Sequence, residues 1–217
     1  MPSSRNTQVH TLSARNLSCE RGRGSLFKQV SFSLESGQAM IVTGANGAGK
    51  TSLLKIITGL SRASEGQVSW DGKDIHQHPE TYQKQLLYVG HRAAVKAELT
   101  VRENLELIMR LRSSQLQATE MTVDLVELAE IIGLRRRLSV PSGRLSAGQQ
   151  RRVALARLFI SHEKCWILDE PLTALDVCFI EVIEKRIAEH LNNAGILMLT
   201  THRGIQIDDA KITTLEL

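Results

Sequence analysis

The stretch Gly44-Ala45-Asn46-Gly47-Ala48-Gly49-Lys50-Thr51 has the spacing G-x-x-x-x-G-K-[ST]. That is the phosphate-binding P-loop. Its surroundings fit. Ala39-Met40-Ile41-Val42 before it is a short apolar run suited to a buried strand. Ser52-Leu53-Leu54-Lys55-Ile56-Ile57 after it opens a helix with an apolar face. Three glycines let backbone N–H groups turn inward as an anion-binding nest, and the helix N-terminus adds partial positive charge. Lys50 is expected to reach the β/γ-phosphates and the Thr51 hydroxyl to ligate Mg²⁺. A chance match in a chain of this length has a probability on the order of one per cent.

A chain of 217 residues holds one large α/β domain or two small ones. No apolar run approaches the roughly 18 residues that span a bilayer. Met1 to His10 has no apolar core, so no signal peptide is expected and the chain should stay in the cytoplasm. Cys19, Cys165 and Cys178 are scattered, which suits a reducing compartment and gives no metal site. The net charge of +4 raises nucleic acid or an anionic membrane surface as a partner, but an aromatic content of only 4% weakens the first. The cluster Arg135-Arg136-Arg137 has no aromatic residue beside it for base stacking. An ordinary basic surface is the better reading, with no nucleic acid.

Along the chain, residues 1–7 read as a loose polar end, and Val9 to Ala14 as a strand. Glu20-Arg21-Gly22-Arg23-Gly24-Ser25 reads as a turn-rich interruption. Leu26 to Leu34 alternates, with Val30, Phe32 and Leu34 on one face. A strand ends in the Asp71-Gly72 turn, and Leu86-Leu87-Tyr88-Val89 is another. Thr100-Val101-Arg102-Glu103 is a capping box, and a second helix should run from about Thr122 to Ile132, stopping at Gly133. After Leu145 come a helix, a strand at Cys165–Leu168, a helix from Asp176 and a strand at Ile196–Leu199. The expected fold class is α/β, a mostly parallel sheet with an N-terminal antiparallel layer and an inserted helical part. The boundaries expected are a core of about 1–91 and 146–217 and a helical subdomain of 92–145.

Two further stretches carry chemistry. Trp166-Ile167-Leu168-Asp169-Glu170-Pro171 is an apolar strand ending in two carboxylates. Beside a P-loop, Asp169 is placed to hold Mg²⁺ and Glu170 to polarise an attacking water. In Leu145-Ser146-Ala147-Gly148-Gln149, Ser146 is a good N-cap and Gly148 allows close backbone approach. By spacing alone this is an ordinary capped helix.

As a set, these stretches resemble the ABC (ATP-binding-cassette) ATPases, a P-loop NTPase family. Leu145–Gln149 is similar to the family's signature motif, Ala174-Leu175-Asp176 to its D-loop, and Thr200-Thr201-His202 to its switch histidine. The resemblance runs over essentially the whole chain, in the family's order, and implies a single cassette spanning 1–217. It implies ATP and Mg²⁺ as ligands and a head-to-tail homodimer that buries two ATP molecules. Each ATP would touch Gly44 to Ser52 of one chain and Ser146, Gly148 and Gln149 of the other. Glu170 would be the catalytic base, Lys50 would aid catalysis at the phosphates, and His202 would hold the γ-phosphate and the water.

Two positions depart from the family pattern. Where an aromatic residue usually stacks on adenine, this chain has Arg21, either stacking through its guanidinium plane or simply solvated. Where Gln usually faces Mg²⁺ and the water, the chain has His91, with Arg92 next to it should the register shift by one. His91 is expected to offer a ring nitrogen to Mg²⁺ and the water, or only to pack against a membrane partner. Cys19-Glu20-Arg21, Tyr88-Val89-Gly90-His91 and Gly148 to Leu158 resemble the haem-exporter branch that serves bacterial cytochrome c maturation. That implies polytopic inner-membrane permease partners of the CcmB type, alone or with a CcmC-type subunit, and a peripheral site on the cytoplasmic membrane face. No C-x-x-C-H occurs, so haem would be contacted by the partners. The competing readings are the ATPase subunit of another small-substrate ABC transporter, a soluble ABC ATPase and a non-hydrolysing regulatory module. Intact Lys50, Asp169, Glu170, Ser146 and His202 argue against the last.

Overall fold

The structure, a computed structural model, describes residues 9–22, 24–113, 123–207 and 211–217. The expected loose end at 1–7, Arg23 of the expected turn and the helix start at Thr122 lie outside the described residues. In chain order the elements are β1 (Thr11–Arg21), β2 (Gly24–Glu35), β3 (Gln38–Thr43), α1 (Lys50–Ile57), β4 (Glu65–Trp70), β5 (Lys73–Asp74), α2 (Pro79–Gln83), β6 (Leu86–Val89), α3 (Val101–Ser113), α4 (Leu125–Ile131), α5 (Ala147–Leu155), β7 (Cys165–Asp169), α6 (Val177–Asn192), β8 (Ile196–Thr200) and β9 (Lys211–Glu216). No helix among the described residues is long and apolar enough to cross a membrane.

The chain separates into two compact units. The first takes in Met1–Tyr88, Glu163–Asp169 and Ile187–Leu217. It holds an antiparallel sheet in the order β2-β1-β4-β5 and a second sheet in the order β6-β7-β8-β3-β9. In the second sheet β7, β8, β3 and β9 pair in parallel. A single buried cluster joins the two sheets through α1. It contains Leu12, Leu17 and Leu34, then Leu53, Leu54, Ile56 and Ile57, then Met40, Val42, Ile167 and Met198. β7 and β8 are buried along their whole length, as strands covered on both faces must be.

β1 runs to Arg21, well past the Ala14 at which alternation breaks down. The reason is a bulge. Asn16 has φ +50°, and the inward face shifts there: Arg15 and Asn16 are both exposed, Leu17 and Ser18 both buried. Its backbone N–H donates to Ser31 Oγ at 2.8 Å, which fixes the kink. Of the turn expected over 20–25, Glu20 and Arg21 belong to β1 and Gly24 and Ser25 to β2. α2 has no sequence periodicity to announce it; Pro79 sits in its first turn, where the missing N–H costs nothing.

The second unit takes in Val89–His162 and Glu170–Arg186. α3 opens with the capping box read from sequence: Glu103 N–H donates to Thr100 Oγ1 at 3.2 Å and Thr100 N–H to Glu103 Oε2 at 2.7 Å. α4 is capped by Asp124, whose carboxylate accepts from Glu127 N–H at 2.8 Å. Leu105, Leu128, Val153, Leu158 and Ile183 are completely buried.

Candidate functional site

Gly44, Gly47 and Gly49 all have positive φ, 138°, 87° and 105°, so the loop between β3 and α1 coils as its glycines predict. Lys50 is the first residue of α1, and its Nζ donates to the carbonyls of Gly44 at 2.7 Å and Ala45 at 3.1 Å. The ammonium thus caps its own loop. Gly49 has a second constraint, because a Cβ there would fall 3.1 Å from both Leu26 Cβ and Phe27 Cδ1. The start of β2 is therefore packed against the loop. Arg21 ends the paired strand β1 opposite Gly24, and its side chain is exposed.

Thr51 follows Lys50 on α1, and its Oγ1 donates to Asp169 Oδ2 at 2.9 Å. Thr200, the last residue of β8, donates its hydroxyl to Asp169 Oδ1 at 2.8 Å. Asp169 is 1% exposed. Burying a carboxylate demands such partners. β7 and β8 pair with Asp169 opposite Thr200, so the parallel register itself brings this pair together. His202 lies two residues beyond Thr200, exposed in the loop after β8.

In the second unit, Ser146 caps α5 in a reciprocal box: Gln149 N–H donates to Ser146 Oγ at 3.3 Å, and Ser146 N–H to Gln149 Oε1 at 3.1 Å. Gly148 must be glycine for a reason inside the chain. A Cβ would lie 2.3 Å from the carbonyl oxygen of Ala174, itself a residue at φ +63°. Asp176 caps α6, accepting from Phe179 N–H at 3.0 Å, and also pairs with Arg152. Those two contacts hold its carboxyl below the usual range, the backbone N–H first and the guanidinium second. Arg152 also lies over the Phe179 ring, 4.6 Å from its centroid.

Glu170 begins the second unit's return segment in the left-handed region, at φ +49°. Its Oε2 lies 3.9 Å from His91 Nε2, and the His91 side chain is 63% exposed. Thr173 donates its hydroxyl to the same Oε2 at 3.4 Å. The carbonyls of Gly90, His91, Glu170 and Pro171 all accept from the buried guanidinium of Arg151.

The family model described as ABC transporter matches residues 27–173. The chain belongs to the ABC transporter ATPase family. It is 42% identical over 206 residues to the cytochrome c biogenesis ATP-binding export protein CcmA of Escherichia coli (strain K12), covering 95% of this chain and 96% of the relative. Among solved structures, an ATP-binding subunit of an ABC transporter is 28% identical with a TM-score of 0.75, covering 88% of this chain and 79% of that one. The ATP-binding cassette MJ0796, described as the dimeric post-hydrolysis state bound to ADP and Pi, shares the fold. Its TM-score is 0.73 at 22% identity, with 88% of each chain covered.

The two neighbouring strand ends singled out in the sequence, at Asp169 and at Thr200, lie side by side and share a hydrogen bond that the sequence does not announce. Thr200 was read only as a neighbour of His202. Its role was recoverable from the matched lengths of two buried strands, each ending in a polar residue. Arg151 left no readable sign, because a side chain bonding to main-chain carbonyls depends on no particular residue type at the other end.

Proposed function

We propose that this chain is the ATP-hydrolysing subunit of a membrane ABC complex that powers haem export in c-type cytochrome biogenesis. The observation that carries this reading is 42% identity over 95% of the chain to a cytochrome c biogenesis ATP-binding export protein.

The donor set suits Mg²⁺-nucleotide: a glycine nest and an ammonium for phosphate oxygens, and a hydroxyl bonded to a buried carboxylate for the metal. The backbone N–H groups from Gly44 to Ser52 cradle the phosphates. Lys50 turns from its loop carbonyls to the β/γ-phosphates. Thr51 and Asp169 would hold Mg²⁺, with His91 the further candidate ligand, and the ion would supply neutralisation of charge on the phosphates. Glu170 takes a proton from water as its oxygen bonds to the γ-phosphorus and the bond to the β-phosphate oxygen breaks, releasing ADP and phosphate. His202 holds the γ-phosphate and Arg21 stacks on adenine. Residues 92–145 form the helical subdomain of one cassette, and the rest is its catalytic core.

Two copies pair head to tail, so that Ser146, Gly148 and Gln149 of each face the ATP of the other. The Ser146 oxygen accepts within its capping box, which leaves the hydroxyl proton to donate to a phosphate. The dimer sits peripherally on the cytoplasmic face of the inner membrane against polytopic permease subunits, which contact the haem.

The test is affinity purification of the tagged chain from detergent-solubilised membranes, followed by mass spectrometry. A polytopic membrane protein should co-purify in stoichiometric amount, and deletion of the gene should abolish c-type cytochromes. Recovery only from the soluble fraction, with c-type cytochromes intact, would overturn the reading.

A further inference from the structure

Arg151 lies in the second turn of α5 and is only 5% exposed. Its Nη2 donates to the Glu170 carbonyl at 2.8 Å and its Nε to the Pro171 carbonyl at 3.2 Å. Its Nη1 donates to the carbonyls of Gly90 at 2.8 Å and His91 at 3.3 Å. One rigid fork therefore ties together two backbone segments, one just past β6 and one just past β7. These are the segments that carry His91 and Glu170, whose side chains approach to 3.9 Å.

The geometry points to Arg151 as the positioning residue for Glu170. Glu170 is a side-chain-bearing residue in the left-handed region, which is unfavourable unless its surroundings impose it. Arg151 imposes it by fixing where the Glu170 carbonyl points, and the side chain leaves the same Cα. The guanidinium also fixes the carbonyl of His91, so it sets the separation of carboxylate and imidazole through the main chain. Arg151 sits on the helix whose first turn is the Ser146 capping box. A shift at that end of α5 is passed through the fork to Glu170. Lysine cannot take over, because a single ammonium on a flexible stem does not span two segments in a fixed plane.

This inference rests on Glu170 being the water-activating base. The experiment is steady-state ATP turnover of the full chain as wild type, Arg151→Lys, Arg151→Gln, Glu170→Gln and the double variant Arg151→Lys/Glu170→Gln. Thermal melting of each is measured alongside. Misplacing a reacting group by about 1 Å costs on the order of 100-fold. Arg151→Lys should therefore lower kcat about 10- to 100-fold with KM for ATP nearly unchanged, and should cause no further loss on top of Glu170→Gln. Wild-type kcat in Arg151→Lys, an equal loss in kcat and KM, or an additive loss in the double variant would each overturn it. So would failure of both single Arg151 variants to fold, which would make the residue purely structural. Wild-type turnover by Glu170→Gln alone would instead remove Glu170 as the base, a failure of the underlying reading visible without any Arg151 variant.

Discussion

Thr51 and Asp169 are 118 positions apart in the chain, and the hydroxyl of one donates to the carboxylate of the other at 2.9 Å. The second oxygen of Asp169 is taken by Thr200. The carboxylate is thus oriented by a hydroxyl on each oxygen. Asp169→Asn keeps the shape but removes the charge. It should weaken the Mg²⁺-dependent part of ATP binding by about 10- to 100-fold, while Mg²⁺-free nucleotide binds as before. Titration of ATP with and without Mg²⁺ measures this. An unchanged Mg²⁺ dependence would take Asp169 out of the metal site.

Glu170→Gln should bind ATP normally and turn over about 10²- to 10⁴-fold more slowly, the usual cost of losing a positioned general base. The stalled species should elute as an ATP-bound dimer in size-exclusion chromatography. Activity at the wild-type level would exclude Glu170 from the mechanism.

Gly148→Ala puts a Cβ 2.3 Å from the Ala174 carbonyl oxygen. The atom it meets is backbone, so either the helix start or the Ala174 segment must move. Overpacking of this kind costs about 1–3 kcal/mol, and in a chain of this size each kcal/mol lowers Tm by about 2–4 °C. Both Tm and turnover should fall. A variant with wild-type Tm would mean the contact yields freely.

Arg21→Ala should raise KM for ATP several-fold to tens-fold, as loss of a stacking contact of about 0.5–2 kcal/mol implies, and Arg21→Tyr should restore most of it. The packing of Leu26 and Phe27 against Gly49 puts the β1–β2 hairpin beside the phosphate loop, which gives the exposed Arg21 its relevance. An unaltered KM in Arg21→Ala would leave the side chain merely solvated.

What could be read from the sequence was whatever is written locally. The phosphate loop, the capping box at Thr100, the N-cap at Ser146 and the alternation of Val30, Phe32 and Leu34 depend on neighbours a few residues away. β1 was cut short because one bulge at Asn16 reverses which residues face inward. Two contacts were invisible for another reason. The pairing of Asp169 with Thr200 comes from strand register, and the Arg151 fork comes from folded backbone. Gly148 shows a third case. Close backbone approach was expected at Gly148, and the carbonyl that crowds it, that of Ala174, belongs to the same chain.

The last prediction concerns alkaline pH. Cys165 is completely buried at the start of β7, and burial pushes its thiol up to about 12 from an ordinary value of 9.0. Tyr82, also buried, has its hydroxyl 3.9 Å from the sulfur. Burial raises the Tyr82 phenol well above its ordinary 10.0, and the neighbouring Cys165 adds to that rise. In both groups the folded state holds its proton more tightly than the unfolded chain does. The stability this confers is complete below the unfolded value and is lost as pH climbs towards the folded one. For Cys165 the window is therefore between about pH 9 and about 12. Urea unfolding across that range should show stability falling with pH, and Cys165→Ala should make the fall shallower, with the share of Tyr82 left in place. Native protein treated with a thiol reagent near neutral pH should be labelled at the exposed Cys178 and spared at Cys165. Equal labelling of the two, or identical pH slopes for wild type and Cys165→Ala, would show that the Cys165 thiol is not held as described.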